Sequence, residues 1–184
     1  MLRNTTERWG SISKFFHWTL AGLIVLQTVL GIAAVTWSLS PVKLDLFVWH
    51  KSFGMLILLL VVARLIWRFL SPPPQFPAEM KPWEHWVAHA SHALLYLLML
   101  VLPLSGWVIN SAVNIPVDLF WLVPLPAITQ PNESLGAVAK TLHLVLFASL
   151  ALIVVMHIAA ALRHHFLLHD QILIRMLPSK RNRP

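Results

Sequence analysis

Long apolar runs separated by short polar stretches dominate this chain. Four of the runs are long enough to cross a bilayer, since a transmembrane helix needs about 20 residues. They cover approximately residues 12–35, 46–70, 86–109 and 136–167. We therefore predict an all-α fold, an integral membrane four-helix bundle that forms one domain over residues 1–184.

The connections between the predicted helices differ in length and composition. SPPPQFP, at residues 71–77, ends the second helix, because proline lacks an amide proton and clashes with the preceding helical turn. Residues 110–135 form a longer loop that mixes prolines with aromatic residues. We expect this loop to lie on the membrane surface as a cap that contains one short interfacial helix.

Composition supports a membrane protein and limits the metals it can bind. Of the 184 residues, 58% are apolar and only 11% are charged, which lies outside the range of ordinary soluble domains. The chain has no cysteine, so disulfides, cysteine-ligated zinc and iron–sulfur clusters are excluded. Any bound metal must therefore be held by histidine, methionine or carboxylate side chains.

The basic residues predict how the chain crosses the membrane. If the N-terminus is cytoplasmic, only Lys43, Lys51 and Lys140 fall on the outer side. The remaining basic residues then fall on the cytoplasmic side: Arg3, Arg8, Lys14, Arg64, Arg68, Lys81, Arg163, Arg175, Lys180, Arg181 and Arg183. This asymmetry follows the positive-inside rule and places both termini in the cytoplasm. The net charge of +7 then reflects topology and lipid headgroups, and no motif indicates nucleic-acid binding.

Four histidines lie inside the apolar helices at two depths. His143 and His157 are fourteen residues apart on the fourth helix. That separation is about 21 Å along the axis, and both residues lie within about 40° of the same helix face. His17 lies near the cytoplasmic start of the first helix, and His50 near the outer start of the second. Depth therefore pairs His17 with His157, here the first pair, and His50 with His143, here the second pair.

Two imidazoles on facing helices, with no further ligand at the same depth, suit an iron whose four equatorial positions are already filled. Haem b has this arrangement, and the cores of helical bundles bind such cofactors. A structural zinc site would need four protein ligands and a catalytic site three. We therefore predict two stacked haem b groups, one in each pair. The alternative is a structural histidine that is hydrogen-bonded to a neighbouring helix.

Three residues near these histidines fit the same interpretation. Gly31 lies fourteen residues after His17, at the depth of the second pair, and Arg64 lies fourteen residues after His50, at the depth of the first. Gly31 and Gly54 would let a porphyrin approach the backbone, and Arg64 could pair with a haem propionate. Equally, the glycines could be small residues at helix crossings and Arg64 an interfacial anchor.

Five stretches of the chain, which together cover nearly all of it, resemble a known family. They are SISKFFHW around His17, LFVWHKSFGMLILLLVVARLIWR at residues 46–68, HWVAHASHALLYLLMLVLPLSGW at 85–107, KTLHLVLFASLALIVVMHIAAALRHHF at 140–166 and ILIRMLPSKR at 172–181. Together they resemble the bacterial cytochrome b561 family of small di-haem membrane cytochromes, whose characterised member is a superoxide oxidase. The paired histidines of the fourth helix and the AHxxH element at residues 88–92 are the most specific part. Residues 110–135 resemble the family least.

The resemblance implies roles for individual residues. In the family, histidines of helices one and four bind one haem and histidines of helices two and four bind the other, which matches the first and second pairs. The family's quinone site involves the second histidine of the AHxxH element and the first histidine of the pair after helix four. These positions correspond to His92 and His164.

The resemblance also implies a reaction, in which electrons pass from superoxide on the outer side through two haems b to ubiquinone. Lys51 and Lys140 lie beside the outer haem ligands, where positive charge would attract the superoxide anion, although both could be ordinary interfacial residues. His92 and His164 would supply protons to the reduced quinone. The implied enzyme is a superoxide:ubiquinone oxidoreductase of a bacterial inner membrane, in contact with lipid and with no required protein partner.

Two other classes of function are open on the sequence. The protein could be the cytochrome b subunit of a larger membrane dehydrogenase or hydrogenase, which would react with quinone only when its partner is present. It could also be a transporter or proton pathway lined by histidines. That class predicts no haem absorbance, and the apolar runs show no break of the kind that transporters use.

Overall fold

The computed structural model describes residues 1–77 and 80–178. Within them, four long helices run Ser11–Thr36 (α1), Pro41–Leu70 (α2), Pro82–Ala112 (α3) and Glu133–Phe166 (α4). Each helix is long and apolar enough to cross a membrane, which confirms the predicted helical membrane bundle. Three of the predicted cytoplasmic basic residues lie outside the described residues: Lys180, Arg181 and Arg183.

Helices α2, α3 and α4 begin three to five residues earlier than the apolar runs predict. Ser40 and Asn132 cap α2 and α4 with side-chain oxygens that accept backbone N–H groups of the first turn. Pro41 and Pro82 occupy the first helical positions. Residues there do not use their N–H groups in helical hydrogen bonds, so proline costs no hydrogen bond. Hydropathy does not register these polar first turns, so it places the helix starts too late.

The four helices pack around a buried apolar layer at mid-height. α1 packs against α2 and α3 against α4, and the contact between α2 and α3 joins the two halves. All four helices contribute to the core cluster: Leu20, Ile57, Val61, Leu98, Met99 and Leu150. Leu150 lies seven residues from both His143 and His157, so this layer separates the levels of the two histidine pairs.

The outward faces of the helices are apolar. Val25, Leu59, Leu152 and Val155 are each at least 60% exposed in the isolated chain. Apolar surface of this extent belongs against lipid tails, because the same surface in water would favour association or aggregation. The bundle therefore presents hydrocarbon to the membrane on its outside.

Residues 113–132, here called the hairpin face, close one end of the bundle. Strands β1 (Val117–Leu119) and β2 (Val123–Leu125) pair antiparallel within it. The predicted interfacial helix is therefore wrong, since these residues form a β-hairpin. Pro116 and Pro124 disfavour a helix there, because each removes a backbone N–H that a helix would use.

Aromatic contacts hold this hairpin against α2. The rings of Trp121 and Trp49 pack edge to face with centroids 5.2 Å apart, and those of Phe120 and Phe53 with centroids 5.5 Å apart. The backbone N–H of Phe120 also donates to the buried hydroxyl of Ser52 at 2.7 Å. The hairpin thereby covers the end of α2 that carries His50.

Residues 1–10 and 167–178, here called the terminal face, lie together at the opposite end of the bundle. A short helix, α5 (Ile172–Met176), which the sequence did not predict, follows α4. The carbonyls at its C-terminal end accept hydrogen bonds from Lys14 Nζ and Trp18 Nε1 of α1. The C-terminal segment is therefore held across the start of α1.

Candidate functional site

The structure brings the four predicted intramembrane histidines together as two pairs. The ring centroids of His17 on α1 and His157 on α4 are 6.3 Å apart. Those of His50 on α2 and His143 on α4 are also 6.3 Å apart. α4 packs most closely against α3. Its two histidines nevertheless face other helices, α1 in the first pair and α2 in the second.

The spacing leaves room for one metal ion between the rings of each pair. A histidine nitrogen lies about 2 Å from a bound metal and the ring centroid about 1 Å further back, so two axial imidazoles have centroids about 6 Å apart. Within residues 1–77 and 80–178, no group of three or more His, Cys, Asp or Glu side chains is placed to hold a metal. Two ligands per ion suit an iron held by a macrocycle, which needs only axial ligands from the protein.

Ser105 of α3 orients His143. Its hydroxyl donates to the main-chain oxygen of Leu102 at 2.7 Å and lies 2.9 Å from His143 Nδ1. Because the hydroxyl proton is used on the carbonyl, we assign Nδ1 as the donor in the second contact. Nε2 of His143 is then unprotonated and able to bind a metal, as in other metal-ligating histidines whose second nitrogen donates to the protein.

The glycines of α1 and α2 accommodate side chains of the facing helix. A Cβ at Gly31 would lie 2.8 Å from Cε1 of His50, so glycine is required for this imidazole to lie against α1. A Cβ at Gly54 would lie 3.1 Å from Nε2 of Gln27. These contacts fit both glycines as small residues at a helix crossing. Clearance for a porphyrin at the same glycines stays a prediction.

An arginine and a third histidine lie beside the first pair. The ring of His92 on α3 is 5.5 Å from that of His157, centroid to centroid. Arg64 Nη2 is 3.2 Å from His17 Nδ1, and its guanidinium carbon lies 5.5 Å from the Tyr96 ring centroid. Arginine can only donate, so His17 Nδ1 accepts in this contact. A histidine that binds a metal through Nε2 carries its proton on Nδ1. His17 therefore cannot accept a hydrogen bond from Arg64 at Nδ1 and bind a metal through Nε2 at the same time.

His164 lies closer to the terminal face than His92 does. It follows His157 by seven residues of α4, which corresponds to about 10 Å along the helix axis. His164 is buried, and its Nδ1 is hydrogen-bonded to a carboxylate oxygen of Asp170. The other carboxylate oxygen of Asp170 accepts the backbone N–H of Ile172 at 3.0 Å. Asp170 also lines a cleft of about 520 Å³ that opens on the terminal face.

The two lysines predicted to attract an anion lie near the second pair in different environments. Lys51 Nζ donates to the main-chain oxygen of Pro116 at 3.1 Å and so joins α2 to the hairpin face. Lys140 is exposed on the first turns of α4. The ammonium group of Lys140 is therefore more accessible to an anion than that of Lys51.

Sequence reasoning missed three polar residues that contact the predicted site residues: Gln27, Ser105 and Asp170. Gln27 and Ser105 lie inside apolar runs, and a polar residue within a membrane span is itself a signal of function or packing. Asp170 is one of only seven acidic residues in the chain. Their partners lie on other helices or beyond a turn, so the sequence showed the residues but not the contacts.

Comparison with known proteins now defines the class. Residues 8–179 match the family described as prokaryotic cytochrome b561. The chain therefore belongs to the prokaryotic cytochrome b561 family, as the motifs predicted. It is a multi-pass bacterial membrane protein of a family that binds haem b and transfers electrons.

Individual relatives cover most of the chain. "Cytochrome b561 homolog 2" of Escherichia coli (strain K12) is 36% identical over 180 residues, which are 95% of this chain and 93% of that protein. "Probable superoxide oxidase CybB" of Yersinia pestis is 33% identical over 132 residues, 72% of this chain and 74% of that protein. "Cytochrome b561 homolog 1" of Escherichia coli (strain K12) is 24% identical over 176 residues, 95% and 99% of the two chains.

Proposed function

We propose that this protein is a superoxide:ubiquinone oxidoreductase that binds one haem b at each histidine pair. The equal centroid distance of 6.3 Å in the two pairs is the observation that carries the two haem sites of this proposal. Each bound haem would supply one-electron chemistry by alternating between ferric and ferrous iron. Arg64 would leave Nδ1 of His17 when that histidine binds the haem, and would pair with a propionate of the same haem, since its guanidinium lies at that level.

The hairpin face is outside and the terminal face is cytoplasmic in this proposal. Lys43, Lys51 and Lys140 lie towards the hairpin face, whereas most basic residues lie towards the terminal face. The positive-inside rule supports this orientation in a bacterial inner membrane.

The hairpin face would collect superoxide. Lys51 directly follows His50, and Lys140 precedes His143 by three residues, so both charges lie close to the second pair. Positive charge at an opening raises the local concentration of a small anion. The relative named as a probable superoxide oxidase supports this choice of electron donor.

The terminal face would reduce ubiquinone near His92 and His164. Asp170 holds Nδ1–H of His164, and in the protonated imidazolium form of His164 the Nε2–H would hydrogen-bond a quinone oxygen and donate its proton to it, which leaves the neutral imidazole. The cleft beside Asp170 gives water access to this carboxylate, so a proton can be replaced from the cytoplasm. In balance, two superoxide ions, one ubiquinone and two protons give two dioxygen molecules and one ubiquinol.

Anaerobic stopped-flow mixing of the purified, haem-loaded protein with superoxide tests the proposal. We expect two haems b per chain, their reduction by superoxide, and their reoxidation when ubiquinone is added. Haems that stay oxidised with superoxide but become reduced with ubiquinol would contradict the proposal. That result would favour a cytochrome b subunit that receives electrons from a protein partner.

A further inference from the structure

Gln27 is a polar side chain within the span of α1 that the proposed function leaves without a role. Its Nε2 donates to the main-chain oxygen of His50 on α2 at 2.7 Å. That carbonyl is reachable because the residue one turn further along α2 is Gly54, where a Cβ would lie 3.1 Å from Gln27 Nε2. The α1–α2 contact is therefore shaped to bring this amide onto the backbone of His50.

The same contact contains one unpaired donor and one unpaired acceptor. Gln27 Oε1 and His50 Nδ1 are both buried, and neither has a hydrogen-bond partner among the residues that the structure describes. A histidine that binds a metal through Nε2 carries its proton on Nδ1 and normally donates it to the protein or to water. Gln27 Oε1 can only accept. The two atoms are therefore complementary.

Gly31 shows which way the imidazole faces. A Cβ at this position would lie 2.8 Å from His50 Cε1, 3.1 Å from Nδ1 and 3.7 Å from Nε2, so Cε1 faces α1 and Nδ1 is the nitrogen closer to it. Gly31 is four residues after Gln27, on the same face of α1 and about 6 Å further along its axis. Gln27 and the Nδ1 side of the His50 ring therefore lie in the same α1–α2 contact.

We propose that Gln27 is a positioning residue for His50. Its amide nitrogen holds the main chain of His50, and its oxygen is the acceptor for the Nδ1 proton, through a bridging water where the two atoms do not meet directly. This inference rests on the proposed ligation of a haem by His50 and His143. A hydrogen bond to Nδ1–H increases electron donation from the imidazole to the iron, which stabilises the ferric state and lowers the midpoint potential of that haem.

Redox titration and electron paramagnetic resonance of the haem-loaded Gln27→Leu variant test this role. We expect two haems per chain, a higher midpoint potential and a changed low-spin signal for one haem, and no change for the other. Ser105→Ala provides the reference, because it removes the hydroxyl that lies 2.9 Å from Nδ1 of His143 and should shift the same haem. Thr28→Val is the matched control, since the Thr28 hydroxyl bonds only the Ile24 carbonyl of its own helix.

Two results would overturn the inference: both potentials unchanged in Gln27→Leu, or a shift in the haem that Ser105→Ala leaves unchanged. If Gln27→Leu does not assemble, Gln27→Met, which keeps an unbranched side chain without hydrogen-bonding groups, should give the same shift. Failure of the underlying proposal has a different signature. A His50→Ala variant that retained both haems would show that His50 is not a ligand, whatever Gln27 does.

Discussion

At the residue scale, the proposed function depends on side chains whose second polar atom is held by the protein. Ser105 holds Nδ1 of His143, and Asp170 holds Nδ1 of His164. In each case the contact fixes the ring and leaves Nε2 to act. Ligands and proton donors placed in this way lose less rotational freedom when they engage a cofactor or substrate.

The histidine pairs predict separable haem losses. His143→Ala and His157→Ala should each lower the haem content from two per chain to one, because each removes one axial ligand and the pairs lie about 21 Å apart along α4. A pyridine haemochrome assay against protein concentration measures this ratio. His165→Ala is the control and should retain both haems. Loss of both haems in a folded single variant would contradict independent sites.

Asp170 predicts a defect confined to the quinone step. Asp170→Asn keeps the side-chain shape but removes the carboxylate that orients His164, so haem reoxidation by ubiquinone should slow roughly 10²-fold, at the lower end of what a positioned proton donor contributes. Haem reduction by superoxide should be unchanged. Stopped-flow absorbance separates the two phases. Asp45 is an exposed acidic residue at the start of α2, and Asp45→Asn should alter neither phase. Equal slowing of reoxidation in the two variants would exclude a specific role for Asp170.

At the element scale, the helices follow from local pattern and the cap does not. Each helix needs only an apolar run of sufficient length and a polar first turn to begin it. The hairpin face depends on contacts with α2, such as the packing of Trp121 on Trp49 and the hydrogen bond from Phe120 to Ser52. These partners are distant in sequence, which explains why a helix was predicted for residues that form strands.

The α1–α2 crossing predicts a steric effect at one glycine. Gly31→Ala would place a Cβ 2.8 Å from Cε1 of His50, so the imidazole must move and the haem at the second pair should be lost or shifted in its visible spectrum. Gly22→Ala is the matched control, because a Cβ there meets no atom within 4 Å. Equal spectra for the two variants would show that the imidazole adjusts without cost.

At the scale of the whole molecule, charge separates the two faces of the bundle. The excess of basic residues lies towards the terminal face, whereas Lys51 and Lys140 are near the second pair at the other end. In the proposed function, orientation and the attraction of superoxide would both depend on this distribution of charge.

This distribution predicts a salt-dependent rate. Lys140→Glu should slow haem reduction by superoxide roughly 10-fold at low ionic strength, because it reverses an exposed charge beside the entry site. The effect should shrink as salt is added. Lys81→Glu, on an exposed residue at the start of α3, should leave the rate unchanged. Stopped-flow rates of haem reduction across a salt series measure the effect. The same rates in the two variants at every salt concentration would contradict a role for Lys140 in attracting superoxide.

The sequence by itself determined the four membrane helices, the family and the two depths at which histidines occur. These features depend on the length of apolar runs and the rise of an α-helix, which are local properties. The tertiary structure decided which rings face each other at 6.3 Å. It decided that Ser105 contacts the His143 ring, Gln27 the main chain of His50, and Asp170 the His164 ring. It also decided that Arg64 reaches His17 and that residues 113–132 form a hairpin. Those outcomes depend on which helix faces meet, and contacts between residues far apart in the chain leave no periodic pattern in the sequence.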